Sequence, residues 1–255
     1  LPNSTREMDI EMFKEIFSNQ DYKPDALKIY PCMVFKGTKL YEQYLNGEFK
    51  PIDAEEAAER IVEIKRYIPR YCRIMRIQRD IPTYMVEAGV ERTNLRQEVV
   101  ELMKEKGINC NCIRCREPKN KIINLDNTKL QRHEYESSNG QEIFLSFDDV
   151  KQDLLLGFVR LRVPYKPYRK EITERCVGIR EIHVYGSAVN INRKSENEIQ
   201  HKGIGTMLME ETERIAIEEL DAKKMLVISG IGAREYFKRK FNYKQDGPYV
   251  SKELI

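Results

Sequence analysis

The sequence predicts two units that both mix helix and strand: an α/β layer or partial barrel up to about residue 108, then an α+β unit with a mixed, mainly antiparallel sheet. Helical and extended patterns alternate over the first part of the chain. Strand-length apolar runs crowd together after residue 140, and a glycine turn then opens a long helix that leads into strand, short helix and strand. The length of 255 residues also exceeds what one hydrophobic core of about 100–200 residues usually serves.

In the first unit, Asp53 and Glu56 form an N-cap and its capping partner, and Ala57, Ile61, Ile64 and Ile68 recur at helical spacing. A helix is therefore expected over 54–67, with Pro69 ending it. Residues 73–79 follow as an extended segment that stops at the turn Asp80-Ile81-Pro82. Residues 94–106 have the pattern of a second amphipathic helix, stopped by Gly107. The segment 109–118 carries Cys110, Cys112 and Cys115 and separates the two units.

Beyond it, 142–147, 154–163 and 177–184 are rich in β-branched and large apolar residues and are expected as strands, the first two joined as a hairpin around Asp148-Asp149. Between the second and third lies Pro164-Tyr165-Lys166-Pro167-Tyr168-Arg169-Lys170, a proline-broken basic loop. A helix over 203–220, a strand over 225–229, a helix over 233–240 and a last strand near Tyr249 complete the order.

Composition narrows the function classes. An apolar fraction of 41% supports a packed core, while 33% charged residues and the lack of any uninterrupted apolar run of roughly 18 residues argue against a membrane span. The chain opens at Leu1-Pro2-Asn3 without the features of a secretory signal, and the missing initiating Met points to a fragment. Six cysteines in that context indicate a reducing, cytoplasmic setting in which thiols are free or bind metal. The net charge is only +3, but Arg60, Lys65, Arg66, Arg70, Arg73, Arg76 and Arg79 are clustered with Glu63 as their local compensation. That run is a candidate nucleic-acid surface, and Tyr67 and Tyr71 within it suit stacking on unpaired bases.

The turn Gln200-His201-Lys202-Gly203-Ile204-Gly205-Thr206 lies between a strand and the long helix. A helix N-terminus presents unpaired N–H groups and the positive end of the macrodipole, and glycines let that backbone approach a pyrophosphate. An anionic cofactor is expected there. The turn lacks the Gly-Lys-Ser/Thr of a P-loop and has Leu208 where a dinucleotide fingerprint needs Gly or Ala.

Gln200-x-x-Gly203-x-Gly205 resembles the pyrophosphate motif of GNAT acetyltransferases. Arg180-Glu181-Ile182-His183-Val184-Tyr185-Gly186, residues 200–209, Val227-Ile228-Ser229-Gly230 and Gly247-Pro248-Tyr249 resemble the acetyltransferase domain of the Elongator catalytic-subunit family in its archaeal form. Arg76-Ile77-Gln78-Arg79-Asp80-Ile81-Pro82, with Tyr30-Pro31 and Gly37-Thr38, is similar to that family's radical-SAM domain. The resemblance implies the C-terminal part of a radical-SAM partial barrel at 1–108, a zinc-binding linker at 109–118 and a GNAT domain at 119–255. It implies a tRNA-dependent acetyl-CoA enzyme that carboxymethylates carbon 5 of the wobble uridine. The radical-SAM cysteine signature is absent, so a 4Fe-4S cluster and S-adenosylmethionine are expected only on a part N-terminal to Leu1. The implied partners are tRNA, through its anticodon stem-loop, and acetyl-CoA; a homodimer is left open.

From the same resemblance, the backbone of Glu181, Ile182, His183 and Val184 pairs with pantetheine as an added strand would. Gln200, Lys202, Gly203, Ile204, Gly205 and Thr206 hold the pyrophosphate. Tyr236 protonates the departing thiolate, with Phe237 beside it, and Glu181 or His183 activates a water or orders the acceptor. Each of these side chains has a structural alternative: the aromatics as packing on the sheet, the other two as hydrogen-bond partners.

Cys110-x-Cys112-x-x-Cys115 lets a short loop wrap three thiolates around one ion, and zinc in a closed site prefers four ligands; free thiols and an iron–sulfur cluster are the alternatives. Cys176 and His133 are candidates for the fourth; Cys32 and Cys72 read as buried thiols. Arg92, Arg96, Lys166, Arg169 and Lys170 extend the basic surface. Two rival readings remain at this point: a protein lysine acetyltransferase, and a non-catalytic RNA-binding scaffold that retains CoA.

Overall fold

The computed structural model describes residues 1–185 and 203–254. The chain divides into two compact units, Leu1–Cys115 and Arg116–Ile255. In the first, α1 (Arg6–Ser18), β1 (Ala26–Lys28), α2 (Lys39–Leu45), α3 (Ala54–Lys65), β2 (Arg73–Arg76), α4 (Leu95–Glu105) and the short α5 (Ile113–Arg116) follow in order. The capping expectation for α3 is met, since the Asp53 carboxylate accepts from Glu56 N at 2.8 Å. α3 turns Ala54, Ala58, Ile61 and Val62 inward and packs on α1 and α4, which contribute Ile10, Phe13, Leu95 and Val99. β1 and β2 pair in parallel, from Ala26↔Arg73 to Lys28↔Arg76. The extended segment thus ends at Arg76, shorter than the 73–79 expected from the sequence.

The second unit is a seven-stranded sheet in the order β3-β4-β5-β6-β7-β9-β8. Its strands are β3 (Thr128–Ser137), β4 (Gly140–Asp149), β5 (Leu154–Val163), β6 (Cys176–Val184), β7 (Lys224–Val227), β8 (Lys244–Asp246) and β9 (Tyr249–Glu253). All neighbours pair antiparallel except β6 with β7. Two helices, α6 (Ile204–Glu218) and α7 (Arg234–Phe241), complete the unit. α6 buries Ile204, Leu208, Thr212 and Ile215 at spacings of three and four, and α7 buries Phe237 and Phe241. They share one core with Leu156, Leu161, Val177, Ile179, Met225 and Val227 of the sheet. The buried Thr212 hydroxyl is satisfied by donating to Leu208 O at 2.6 Å.

The predicted strand–turn–helix–strand–helix–strand order is present, and the β4–β5 hairpin turns just beyond Asp148-Asp149. β3 was not anticipated. Its alternation is polar on both faces, and it pairs along its whole length with β4 through a two-residue turn whose Ser138 and Asn139 have φ of 47° and 58°.

β6 determines where a ligand can enter. Arg160 of β5 pairs with Glu181 and Leu161 with Ile179, which makes Arg180 an extra residue and bulges the strand. On the other side the parallel ladder with β7 ends at Ile179↔Val227, with Ile228 N donating to Ile179 O at 3.0 Å. β6 itself runs on to Val184. The two parallel strands therefore part over Glu181–Val184, at the level of the α6 N-terminus.

Candidate functional site

Gly203 caps α6 with φ 85° and ψ 4°, a left-handed conformation that costs a side-chain-bearing residue strain, and a Cβ there would meet nothing within 4 Å. A Cβ on Gly205 would stand 3.5 Å from Val184 Cγ2 and 3.7 Å from Tyr236 Oη. The glycine turn, the free-running end of β6 and the Tyr236 hydroxyl thus meet at one point. The first turn of α6 carries no acidic residue, and Lys240 Nζ donates to Thr206 Oγ1 at 2.5 Å. A cation at a helix N-terminus opposes the macrodipole unless an anion joins it, so Lys240 belongs to the same anion-accepting surface.

Tyr236 is 42% exposed and lies edge-on to Phe237 and Phe241, with ring centroids 5.3 and 5.5 Å away. Partial burial raises its pKa above the ordinary tyrosine value, so the hydroxyl stays protonated at neutral pH. That is the state a proton donor needs. Phe237, by contrast, is 4% exposed and packs on Phe241 and Tyr243 inside the core. Its side chain is a packing residue, and the expectation that it touches cofactor is corrected. Ile182, Val184 and Ile204 also direct their side chains to the core cluster, so that only their backbone groups could face a ligand. Gln200 and Lys202 lie outside the described residues.

Glu181 and His183 emerge on the opposite face of the sheet. Arg160, which is 2% exposed, donates from Nε to Glu181 Oε2 at 2.8 Å. Its guanidinium also lies over the Phe144 and Phe158 rings at 5.2 and 5.1 Å. Glu181 is therefore the anchored half of an ion pair whose Oε2 is taken by Arg160. The His183 ring lies 4.4 Å from Tyr185 and 6.0 Å from Phe158. Nothing in the sequence around Arg160 marked it beyond its place in an otherwise apolar strand.

In the first unit, the sulfurs of Cys110, Cys112 and Cys115 lie within 4.8 Å of one another. Hydrogen bonds from Cys110 and Cys115 push the Cys112 thiol well down in pKa, which makes it the one most ready to be a thiolate. Lys65 enters the same cluster from α3. It is 1% exposed and its Nζ is 3.5 Å from Cys115 Sγ. Three thiolates with one divalent ion carry a net single negative charge, which a buried ammonium balances. These residues fit a thiolate-bound zinc. Among the described residues the cluster of metal-binding atoms comprises these three cysteines. Of the fourth-ligand candidates, Cys176 is buried in β6 with its thiol donating to Val177 O, and His133 stands on β3 near Phe144.

The structure also redraws the basic run. Lys65 faces sulfur, Arg60 is ion-paired with Asp9 and Glu56, and Arg76 with Asp80. Glu63, expected to compensate the run, instead binds Arg6 at 3.1 Å. Tyr71 is buried and cannot stack on a base, and Cys32 is half-buried rather than buried. Arg76, Arg79 and Arg96 line a depression of 610 Å³ with Gln78 and Thr93. Lys65 could have been found in the sequence, since it falls four residues after Ile61 on the apolar stripe of α3.

Comparison with known proteins agrees with this geometry. The acetyltransferase (GNAT) family model matches residues 111–243, and the radical-SAM C-terminal domain model matches 24–105. The chain is 51% identical over its full length to a tRNA uridine(34) acetyltransferase of Methanocaldococcus infernus and 49% identical to one of Methanocaldococcus jannaschii. It is 44% identical to Elongator complex protein 3 of Saccharomyces cerevisiae. It spans about half the length of these relatives, 49%, 48% and 47% respectively. A solved structure of the archaeal Methanocaldococcus infernus Elp3 with an N-terminal deletion superposes with a TM-score of 0.93, covering 100% of this chain and 61% of that one. No helix among the described residues is long and apolar enough to cross a membrane.

Proposed function

The chain belongs to the GNAT acetyltransferase family, and from that premise we propose that its second unit binds acetyl-CoA and delivers the acetyl group for a cytoplasmic modification of wobble uridine in tRNA. The observation that carries this reading is the convergence of Gly203, Gly205, the Glu181–Val184 edge and the Tyr236 hydroxyl at the α6 N-terminus. Gly203 and the N–H groups of the first turn receive the pyrophosphate, with Lys240 and Thr206 beside them. The backbone of Glu181–Val184 takes the pantetheine amides as a neighbouring strand would.

As a water or an acceptor nucleophile bonds to the thioester carbonyl carbon and gives up its proton to solvent, the carbon–sulfur bond would break and the Tyr236 hydroxyl would protonate the leaving sulfur, to be reprotonated from solvent. Glu181, held by Arg160, and His183 lie on the opposite face of the sheet, where either would order the acceptor or activate a water. Arg70, Arg73, Arg76, Arg79, Arg92 and Arg96 contribute an RNA-binding surface on the first unit, where they meet backbone phosphates. Lys166, Arg169 and Lys170 do the same on the second. Cys110, Cys112 and Cys115 hold a structural zinc that stiffens the segment before Arg116.

Acetyl-CoA consumption by the whole protein, with and without tRNA, tests the reading. Turnover stimulated by tRNA supports it. Turnover stimulated by lysine peptides and indifferent to tRNA would make the protein a lysine acetyltransferase, and CoA binding without turnover would leave a scaffold. The protonated Tyr236 hydroxyl beside the α6 N-terminus is the feature that favours an enzyme over a scaffold.

A further inference from the structure

On the sheet face opposite the α6–α7 core, β5, β6 and β7 form the floor of a 300 Å³ pocket walled by the loop between β5 and β6. Leu226 and Ile228 make the floor apolar, and Gly178 keeps it open, since a Cβ there would stand 3.2 Å from Leu226 Cδ1. One rim carries two guanidiniums that share the Glu142 carboxylate, and Arg162 Nη2 also donates to Ser137 O at 3.1 Å. Glu142, 2% exposed, accepts from Arg162 Nη1 at 2.7 Å and from Arg180 Nη2 at 2.9 Å. Two arginines on one acid leave a net positive charge at the pocket. The other rim carries Tyr165 and Tyr168, which are 70% and 91% exposed. Lys166, Arg169 and Lys170 add cations to the same loop, against Glu171 and Glu174.

We propose that this pocket receives one unstacked nucleobase of the bound RNA, stacked against Tyr165 or Tyr168 with its polar edge toward Arg162 and Arg180. The inference rests on the tRNA reading above and adds a base-binding site on the second unit to it. A pocket of this size admits a base with part of its ribose and excludes a duplex. Large aromatic faces held in water gain by stacking on a base, whichever base it is. Guanidiniums fixed by a buried acid supply donors to base carbonyl oxygens without having to be ordered on binding. Charge complementarity selects RNA over an apolar peptide as the occupant.

The test is binding of an anticodon stem-loop RNA, and of a duplex RNA of the same length, to the whole protein and to the double variant Tyr165→Ala/Tyr168→Ala across a range of salt. Both side chains are exposed, so the fold should persist, and acetyl-CoA affinity by calorimetry checks this. Stem-loop affinity should fall about tenfold or more in the variant, as loss of base stacking does, with the log–log salt slope unchanged and duplex binding unaffected. Tyr165→Phe/Tyr168→Phe should bind like the wild type. A wild type that binds neither RNA overturns this inference together with the tRNA reading. A wild type that binds the stem-loop with an affinity the alanine variant keeps overturns the inference alone. A loss shared by the duplex, or joined by a flatter salt slope, would make the loop a phosphate-binding element and equally overturn the base pocket.

Discussion

The α6 N-terminus and the basic run of the first unit look equally suggestive as strings of letters, and they behave oppositely in three dimensions. Gly203 and Gly205 matter through backbone conformation and clearance, properties fixed locally by the residue type. The arginines and lysines of 60–79 matter through what their long side chains meet, and much of that comes from elsewhere: Asp9 for Arg60, the cysteine cluster for Lys65. A glycine motif therefore carries its meaning with it. A charge cluster acquires its meaning only once its partners are known.

The sharpest way to break the contrast is at Tyr236. Tyr236→Phe keeps the edge-on packing and removes the proton, so acetyl-CoA turnover should fall by about 10²–10⁴-fold with cofactor affinity nearly unchanged. Because burial raises the Tyr236 pKa, wild-type turnover should hold through neutral pH and decline only on the strongly alkaline side as the hydroxyl ionises. The variant should lack that decline. Equal turnover by the two proteins would remove Tyr236 from the chemistry.

Next in size is the glycine pair. Gly203→Val/Gly205→Val should weaken CoA binding at least about a hundredfold by calorimetry, through left-handed strain at one position and an occupied cradle at the other. Wild-type affinity in that variant would remove the cofactor site. Leu208→Ala is the control for simple destabilisation. It should lower stability by about 2–5 kcal/mol in chemical denaturation and spare the binding geometry.

At the cysteine cluster, elemental analysis should give about one zinc per chain, lost in Cys112→Ser together with thermal stability. Lys65→Met should weaken zinc roughly 10–100-fold in chelator competition, as loss of an outer hydrogen-bond partner does. The metal-free variant should be at least as stable as the metal-free wild type, because a buried ammonium has been removed. Zinc bound equally well without Lys65 would make it a neighbour of the site rather than part of it.

The smallest effect is expected in the basic run. Neutralising Arg70, Arg73 and Arg76 should weaken tRNA binding and flatten its salt dependence by somewhat under one unit of log–log slope for each phosphate no longer neutralised. Arg76 must exchange its ion pair with Asp80 to meet a phosphate. An unchanged slope would show that these residues do not meet phosphate.

Elements with a strong local signature were legible from the sequence: α3 through Asp53 and its apolar stripe, α6 through its glycines, and the apolar strands β5 and β6. β3 was not, because a strand polar on both faces has no hydrophobic period to detect; its one cue was the Asn139-Gly140 dipeptide at the hairpin turn. α1 escaped for a related reason, burying only Ile10 and Phe13. At the site, the glycines that open α6 and the placing of Tyr236 beside them were readable. The ion pair of Arg160 with Glu181 and the burial of Phe237 were set by neighbours distant in sequence and could be seen only after folding, whereas the burial of Lys65 was implied by its place on the α3 stripe.

The bulge at Arg180 bears on how this chain can evolve. Before it, β6 sends Val177 and Ile179 into the core; after it, Ile182 and Val184, so the inward positions are three apart across the bulge and two apart elsewhere. A substitution along the strand alters the packing of one side chain. Losing the single codon of the bulge residue would restore a regular period of two with Ile182 and Val184 still inward, whereas losing one elsewhere in the strand would put the residues beyond the gap on the wrong face unless the bulge moved. Descendants of this sequence can therefore drift in letters and shed the bulge residue itself while the inward face of β6 is kept, and a one-residue gap elsewhere in the strand is the change that would disturb the Glu181–Val184 edge.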